Sequence, residues 1–229
     1  MAEASAKRAI KFMISEIEKK GNVTIIAATG ASQFDFLDSL TSTSKIDWSK
    51  VTMFHLDEYL GISEQHPASF RRYLKERLIN KVHPGSYYLI QGDAPNPVAE
   101  VNRLNEIISK YSIDLAFVGV GENGHLAFND PPADFKTKTP YLILPLDKKC
   151  RMQQVSEGWF ERIEEVPAEA ISMSIQEILR AKNIICTVPG KRKAEAVRNC
   201  FKTTEVSQEN PSSILKTHRG AYIFLNRAS

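Results

Sequence analysis

Short apolar runs alternate along this chain with segments whose apolar residues recur at helical spacing. The first helical segment, residues 5–20, ends at Gly21, a residue typical of helix C-termini. Other runs have the length and β-branched content of buried strands. The pattern predicts strands at 23–28, 51–56, 87–90, 113–118, 141–146, 183–188 and 221–225, and further helices from about 33 and at 66–82, 96–111, 170–181, 193–202 and 211–218.

This alternation of strands and helices predicts an α/β fold with a mostly parallel sheet and helices on both faces. No internal repeat, low-complexity tract or long linker divides the chain, so the sequence predicts a single domain over residues 1–229. Residues 148–160 are polar and end in Gly-Trp-Phe. We interpret this segment as a mobile flap over a site.

The composition argues against several classes of partner. Of the 229 residues, 42% are hydrophobic and 25% are charged, which is typical of globular proteins. A net charge of +3 with no basic run argues against nucleic-acid binding. No apolar stretch approaches the roughly 20 residues needed to cross a bilayer, and residues 1–11 lack the apolar core of an export signal. We expect a cytoplasmic protein with no membrane or nucleic-acid partner.

Neither the cysteines nor the histidines have the spacing of a metal site. Cys150, Cys186 and Cys200 lie far apart, and the five histidines form no His-x-His or His-Glu-x-x-His pair. Reduced cytosolic thiols are the expected state of the cysteines. The sequence predicts no bound metal.

The stretch Gly-Val-Gly-Glu-Asn-Gly-His-Leu-Ala-Phe-Asn-Asp at residues 119–130 is the main candidate for chemistry. It follows a predicted strand, and its glycines allow a tight turn and the close approach of a ligand. Its imidazole, two carboxylates and two carboxamides are groups that can move protons in a polar crevice. A glycine-rich turn with surface polar residues is the competing interpretation.

A second turn, Thr29-Gly30-Ala31-Ser32, joins a predicted strand to a predicted helix. Backbone amides and the positive end of a helix dipole would meet there and form an anion site. A plain turn with Ser32 as the helix N-cap is the alternative.

Four polar segments, each predicted to be a loop, follow predicted strands at residues 29–32, 57–59, 122–130 and 190–193. Ligands of parallel α/β sheets bind at the carboxyl ends of the strands, so all four segments should lie on one rim. Together they supply hydroxyls and amides, the carboxylate of Asp57, the imidazole of His125 and the ammonium of Lys193. This set fits a small phosphorylated substrate that undergoes acid–base chemistry.

These motifs resemble those of the glucosamine-6-phosphate deaminase (isomerase) family, which is related to the 6-phosphogluconolactonases. The resemblance runs in order along nearly the whole chain, through residues 29–32, 56–59, 66–69, 121–129 and 190–194. It implies a Rossmann-like, doubly wound α/β fold, a sugar-phosphate ligand, and conversion of glucosamine 6-phosphate and water to fructose 6-phosphate and ammonia. It implies neither a metal nor an organic cofactor, and a homo-oligomer remains open.

The resemblance also assigns roles to residues. The proton-transferring aspartate falls on Asp57, the ring-opening histidine on His125 and the acidic helper of that histidine on Asp130. The phosphate-binding lysine falls on Lys193. The substrate and phosphate loops fall on Thr29, Gly30, Ala31, Ser32 and Gly124.

The chain departs from the family pattern at three site positions. Asn123 stands where the family usually has aspartate, and we expect its side-chain carbonyl to accept the Nδ1 hydrogen bond of His125. Asp130 stands where the family has glutamate. A flap arginine that binds phosphate falls on Glu157, and Arg151 is the candidate to replace it. The family's effector-site residues are not matched at 133–140.

Two other functions compete with a deaminase. A sugar-phosphate lactonase of the same fold would use the histidine as a general base for water, but Phe128 and Asn129 argue against it. A non-catalytic sugar-phosphate-binding protein would explain the departures, whereas Asp57 and His125 are not needed for binding alone.

Overall fold

The computed structural model describes residues 1–229 and contains two sheets. The strands are β1 (Val23–Ala27), β2 (Val51–His55), β3 (Asp57–Tyr59), β4 (Ser86–Tyr88), β5 (Leu115–Val118), β6 (Tyr141–Pro145), β7 (Glu169–Met173), β8 (Asn183–Val188) and β9 (Ala221–Leu225). Six strands form a parallel sheet in the order β4-β2-β1-β5-β8-β9. The other three form an antiparallel sheet in the order β3-β7-β6.

Eight α-helices accompany the strands. They are α1 (Ala2–Lys20), α2 (Phe34–Thr41), α3 (Phe70–Leu74), α4 (Asn80–Val82), α5 (Pro97–Ile108), α6 (Lys148–Ser156), α7 (Ile175–Leu179) and α8 (Ala194–Val197). Asn96 caps α5, since its Oδ1 accepts from the Ala99 N–H at 3.0 Å, and Pro97 occupies the first turn. No helix combines the length and the apolar content that crossing a bilayer requires.

Hydrophobic clusters lie on both faces of the parallel sheet. Neighbouring residues of β1 point in opposite directions, so Ile26 belongs to a cluster of 26 buried residues and Ile25 to one of 20. The fold is therefore doubly wound with a mostly parallel sheet, which confirms the fold class predicted from the sequence.

Two local predictions are wrong. The sequence pattern places residues 57–59 in a loop and residues 170–181 in a helix, but Asp57–Tyr59 forms β3 and Glu169–Met173 forms β7. Only Ile175–Leu179 of the second segment is helical. The cause is tertiary, because β7 is hydrogen-bonded along one edge to β3 and along the other to β6.

The chain crosses from the large sheet into the small one at Leu56. Its N–H donates to the Ala27 carbonyl at 3.2 Å, and its carbonyl accepts from the Met173 N–H at 3.0 Å. Asp57 is the next residue. It is therefore held rigidly where the two sheets meet, at the carboxyl end of β2.

Candidate active site

A cavity of about 410 Å³ opens at the carboxyl ends of the parallel strands. Its size is that of a typical small-molecule site. All four polar segments that the sequence places on one rim contribute to its lining, together with one face of α6. The lining includes Thr29, Gly30, Ala31, Ser32, Asp57, Glu122, His125, Gln153, Gln154, Glu157, Lys191, Arg192 and Lys193.

Two similar turns form one side of this cavity. Gly30 and Gly190 have φ of 89° and 96°, values that suit glycine, and each precedes a short 3-10 turn that leads into a helix. The Gly30 carbonyl accepts from the Tyr73 hydroxyl at 3.0 Å, which anchors the first turn. Ser32 is not a helix N-cap, because Gly30 caps the 3-10 turn and Gln33 precedes α2. Its hydroxyl is placed beside the cavity instead.

Asp57 lies in the wall of the cavity and is 6% exposed. Burial raises the pKa of its carboxyl to about 8, and the charge of Glu58 contributes in the same direction. Such a group can both take and give a proton near neutral pH.

Glu58 has a structural environment, in contrast to its neighbour. Its carboxylate is fully buried and accepts from the Ser69 hydroxyl at 3.0 Å and from the backbone N–H groups of Phe70 and Arg71 at 3.1 and 2.8 Å. Burial raises its pKa to about 7, against these donors and the charge of Arg71. Glu58 therefore fixes the start of α3 and does not line the cavity.

His125 is paired with Asp130 within the loop of residues 119–130, which we call the central loop. The distance from His125 Nδ1 to Asp130 Oδ1 is 3.1 Å, which leaves Nε2 for a ligand. Gly121 lies directly against the ring, since a Cβ there would be 2.3 Å from Nε2. Burial acts to raise the pKa of Asp130, but hydrogen bonds and the charge of His125 hold it below its usual range.

The expected contact between Asn123 and the imidazole is wrong. The Oδ1 of Asn123 accepts from the backbone N–H of His125 at 3.1 Å. Its Nδ2 donates to Asp130 at 2.9 Å and to Asp147 at 3.1 Å. Asn123 therefore positions Asp130, and Asp130 alone contacts Nδ1.

Lys193 is buried in the cavity wall, with its Nζ 3.9 Å from Glu157 Oε1. Burial lowers its pKa, while Glu157 and Glu122 oppose that shift. Arg151 does not join this region. Its guanidinium donates to the carbonyls of Ile163 and Val166 and holds the chain that follows α6.

The structure leaves Gly124 outside the cavity. Gly124 has φ of 86°, and its carbonyl accepts from the Ser212 N–H at 2.9 Å. A Cβ there would lie 3.2 Å from the sulfur of Cys200. Gly124 thus shapes the loop behind His125, which removes the structural basis for direct substrate contact.

The helix α6 occupies the predicted flap and supplies cavity residues that the sequence did not single out. Gln153 accepts from the Glu122 N–H at 2.9 Å and donates to Glu157 at 2.7 Å. Gln153 and Gln154 are both buried although they are polar. Their adjacency within a polar helix gives no sign of this burial, and only the position of α6 over the sheet reveals it.

Asp147 connects α6 to the central loop. Its N–H donates to Asp130 at 2.9 Å, and its Oδ1 caps the helix by accepting from the Cys150 N–H at 2.5 Å. His125, Asp130 and Cys150 offer ligand atoms within 4.8 Å of one another. Nδ1 and the carboxylate already bind each other, and burial raises the pKa of the thiol far above its usual value. The hydrogen bonds among these residues explain why they lie close together.

Comparisons with known proteins agree with this geometry. A family model described as glucosamine-6-phosphate isomerases/6-phosphogluconolactonase matches residues 1–224. A glucosamine-6-phosphate deaminase from Exiguobacterium is 35% identical over 98% of this chain and 86% of its own length. A solved structure of a monomeric glucosamine-6-phosphate deaminase superposes with a TM-score of 0.87 at 28% identity, covering 100% of this chain and 95% of the other. A 6-phosphogluconolactonase from Shewanella baltica shares the fold, with a TM-score of 0.79 at 17% identity over 98% and 94% of the two chains.

Proposed function

Since this chain belongs to the glucosamine-6-phosphate isomerase and 6-phosphogluconolactonase family, we propose that it converts glucosamine 6-phosphate and water to fructose 6-phosphate and ammonia. The observation that carries the proposal is the pairing of two proton-transfer groups in one cavity. Asp57 and His125 line it, beside two glycine turns and the buried Lys193, and Asp130 holds His125 from behind. Aldose–ketose isomerisation needs such groups, whereas sugar-phosphate binding alone does not.

In the proposed reaction, the phosphate binds at the turn of residues 29–32 and at Lys193. These groups provide backbone amides, a hydroxyl and a positive charge for a dianion. His125 acts through Nε2. It takes the proton of the C1 hydroxyl and delivers it to the ring oxygen as the bond between C1 and that oxygen breaks, so the sugar ring opens.

Asp57 then takes the proton from C2 of the open sugar and returns it to C1. A double bond forms between C2 and nitrogen, and a proton of the nitrogen passes to the C1 oxygen. The products are a C1 hydroxyl and an imine at the carbon that carried the amine. Water adds to this imine, and ammonia leaves as the C2 ketone forms. A carboxyl group with a pKa of about 8 suits both halves of this transfer.

A lactonase is the second candidate within the family. It would need a base for water and an anion site, but not a second proton-transfer group such as Asp57. Phe128 and Asn129, the two residues that argue against a lactonase in the sequence, both make contacts that stabilise the fold. Phe128 lies in an aromatic cluster 5.1 Å from the Tyr59 ring, and Asn129 donates to the carbonyls of Leu126 and Met173.

The test is a product assay on the purified protein. Glucosamine 6-phosphate should yield equal amounts of ammonia and fructose 6-phosphate, and unphosphorylated glucosamine should yield neither. Acid release from 6-phosphogluconolactone without ammonia from the amino sugar would replace this function with the lactonase. Binding without either product would leave a sugar-phosphate-binding protein.

The proposal also concerns the domain organisation and location of the protein. We take residues 1–229 to act as one domain located in the cytoplasm, supported by the single family match and by three free thiols.

A further inference from the structure

Two residues of α6, Gln153 and Gln154, and its C-cap residue Glu157 present polar side chains to the cavity, and only Gln153 and Glu157 are hydrogen-bonded within the protein. Gln153 bonds the Glu122 N–H at one end of its carboxamide and Glu157 at the other. Glu157 is also held by the Trp159 indole N–H at 3.3 Å. The carboxamide of Gln154 makes no hydrogen bond with the protein, although the residue is only 5% exposed.

The carboxamide borders the cavity and is reached by water from there, so a ligand that displaces this water must supply hydrogen bonds in its place. Gln154 faces the one place where a ligand can restore its hydrogen bonds, the cavity that contains Asp57 and His125. On the basis of the function proposed above, we propose that Gln154 binds a hydroxyl group of the sugar and thereby determines which hexosamine 6-phosphate is accepted.

The neighbouring charges favour a hydroxyl over the phosphate as the partner of Gln154. Glu157 lies on the same face of the helix, three residues further on, and Gln153 holds its carboxylate in place. An anion beside Gln154 meets that negative charge directly, whereas at Lys193 the ammonium group, 3.9 Å from Glu157, offsets it. The phosphate has better partners at the turn of Gly30 and at Lys193.

Hydrogen-bonding chemistry points in the same direction. A carboxamide offers a donor and an acceptor side by side, and a sugar hydroxyl is both as well. A site built to bond a hydroxyl discriminates strongly against a sugar that lacks it in that position, because the buried group is then left without a partner.

The experiment compares Gln154→Met with the wild type. Methionine keeps the length of the side chain and the helical preference but forms no comparable hydrogen bond. Met152→Ala is the matched control, since Met152 lies on the same helix and is 46% exposed. The kcat/KM is measured for glucosamine 6-phosphate and for its C3 and C4 epimers, together with inhibition by inorganic phosphate.

We expect Gln154→Met to lower kcat/KM for the preferred hexosamine by about three- to tenfold, the value of one hydrogen bond. Its preference over at least one epimer should shrink by a similar factor. Inhibition by phosphate should stay within about twofold of the wild type, and Met152→Ala should change none of these values. An equal loss for every epimer, or an equal loss of phosphate inhibition, would overturn the assignment.

A binding measurement separates this inference from the proposed reaction. Glucose 6-phosphate and galactose 6-phosphate carry the sugar hydroxyls without the amine, so their dissociation constants can be compared by calorimetry in the absence of turnover. A wild type that releases no ammonia from any hexosamine phosphate would refute the reaction. The ratio of these two constants, in the wild type and in Gln154→Met, would still decide whether Gln154 recognises a hydroxyl. The assignment is overturned if Gln154→Met leaves two ratios of dissociation constants unchanged: galactose 6-phosphate to glucose 6-phosphate, and allose 6-phosphate, the C3 epimer, to glucose 6-phosphate.

Discussion

At the scale of single residues, the burial of Asp57 has a direct consequence for the pH dependence of the reaction. With a pKa of about 8, its carboxyl is mostly protonated at neutral pH and becomes a base as the pH rises. We expect kcat/KM for glucosamine 6-phosphate to increase as the pH rises through about 8. Asp57→Asn should lower kcat by at least about 100-fold, the usual contribution of general acid–base catalysis. A wild-type rate in this variant would contradict the assigned role.

Asp57→Asn should also change how the stability of the protein depends on pH. The pKa of Asp57 is raised on folding, so its contribution to stability is complete below its unfolded pKa of about 3.9 and is lost as the pH rises through about 8. Asp57→Asn carries no such ionisation. The melting temperature of the variant, relative to wild type, should therefore be higher at pH 9 than at pH 5.

Asn123 allows a second prediction at this scale. Its Nδ2 donates to the carboxylates of Asp130 and Asp147, so Asn123→Asp replaces a shared donor with a third negative charge. We expect kcat/KM to fall by about tenfold or more, since hydrogen bonds to charged groups contribute about 1.5–3 kcal/mol. The measurement is kcat/KM for glucosamine 6-phosphate in the variant and the wild type. Unchanged activity would refute this account of Asn123.

At the scale of elements, the central loop explains why sequence reasoning chose the wrong partner for His125. Ala127 adopts φ of 52°, a conformation that alanine rarely takes, and the chain reverses between Leu126 and Asn129. This reversal brings Asp130 back to the imidazole. The residue types in the loop indicated proton chemistry correctly, but nothing in an alanine predicts a left-handed turn.

The position of α6 depends on Asp147. One carboxylate oxygen of Asp147 accepts from the Asn123 side chain, and the other caps the helix. An asparagine can accept only one of these hydrogen bonds well, because its other end is a donor. We expect Asp147→Asn to speed hydrogen exchange in the first turn of α6 and to lower kcat. Asp47→Asn is the matched control, since Asp47 is an exposed cap of a 3-10 turn. Equal effects of the two substitutions would show that only general capping is lost.

Combining the two changes provides a sharper check of the same contact. In the double variant Asn123→Asp with Asp147→Asn, the amide at position 147 can donate to the new carboxylate at 123. We expect part of the activity lost in Asn123→Asp to return. Additive losses would mean that residues 123 and 147 do not act through their mutual hydrogen bond.

At the scale of the whole molecule, the parallel sheet and its ligand-binding rim were predictable because both follow from strand order. Apolar runs such as residues 183–188 and 221–225 match β8 and β9 in full. The small antiparallel sheet was not predictable, because β3 and β7 are separated by more than 100 residues and pair only in the folded chain. The contribution of α6 to the cavity depends on the same long-range packing.

Asp114 connects parts of the molecule far from the cavity, and its removal should destabilise the whole fold. Its buried carboxylate binds Lys20 at 2.6 Å, Lys182 at 2.9 Å and the Thr24 N–H at 2.8 Å. We expect Asp114→Ala to lower the free energy of unfolding by about 2 kcal/mol, below the about 3–5 kcal/mol of fully buried pairs because both lysines contact water.

The effect of Asp114 should also depend on pH. Although burial acts to raise its pKa, Lys20 and the other donors hold it below the usual value. Its stabilisation is therefore present above the unfolded pKa of about 3.9 and is lost as the pH falls below it. Urea unfolding at pH 7 and pH 3 measures this difference. Glu106→Ala, which removes an exposed ion pair with Lys110, should change the free energy of unfolding at pH 7 much less than Asp114→Ala does.

The helix α6 is attached to the rest of the molecule at both ends. At its first end the Asp147 N–H donates to Asp130 at 2.9 Å, and at its last end the Arg192 guanidinium donates to the Ser156 carbonyl at 3.2 Å. Between them, Gln153 accepts from the Glu122 N–H at 2.9 Å. We therefore expect α6 to keep its place from one turnover to the next, so that substrate and product pass beside the helix and the histidine pair stays assembled.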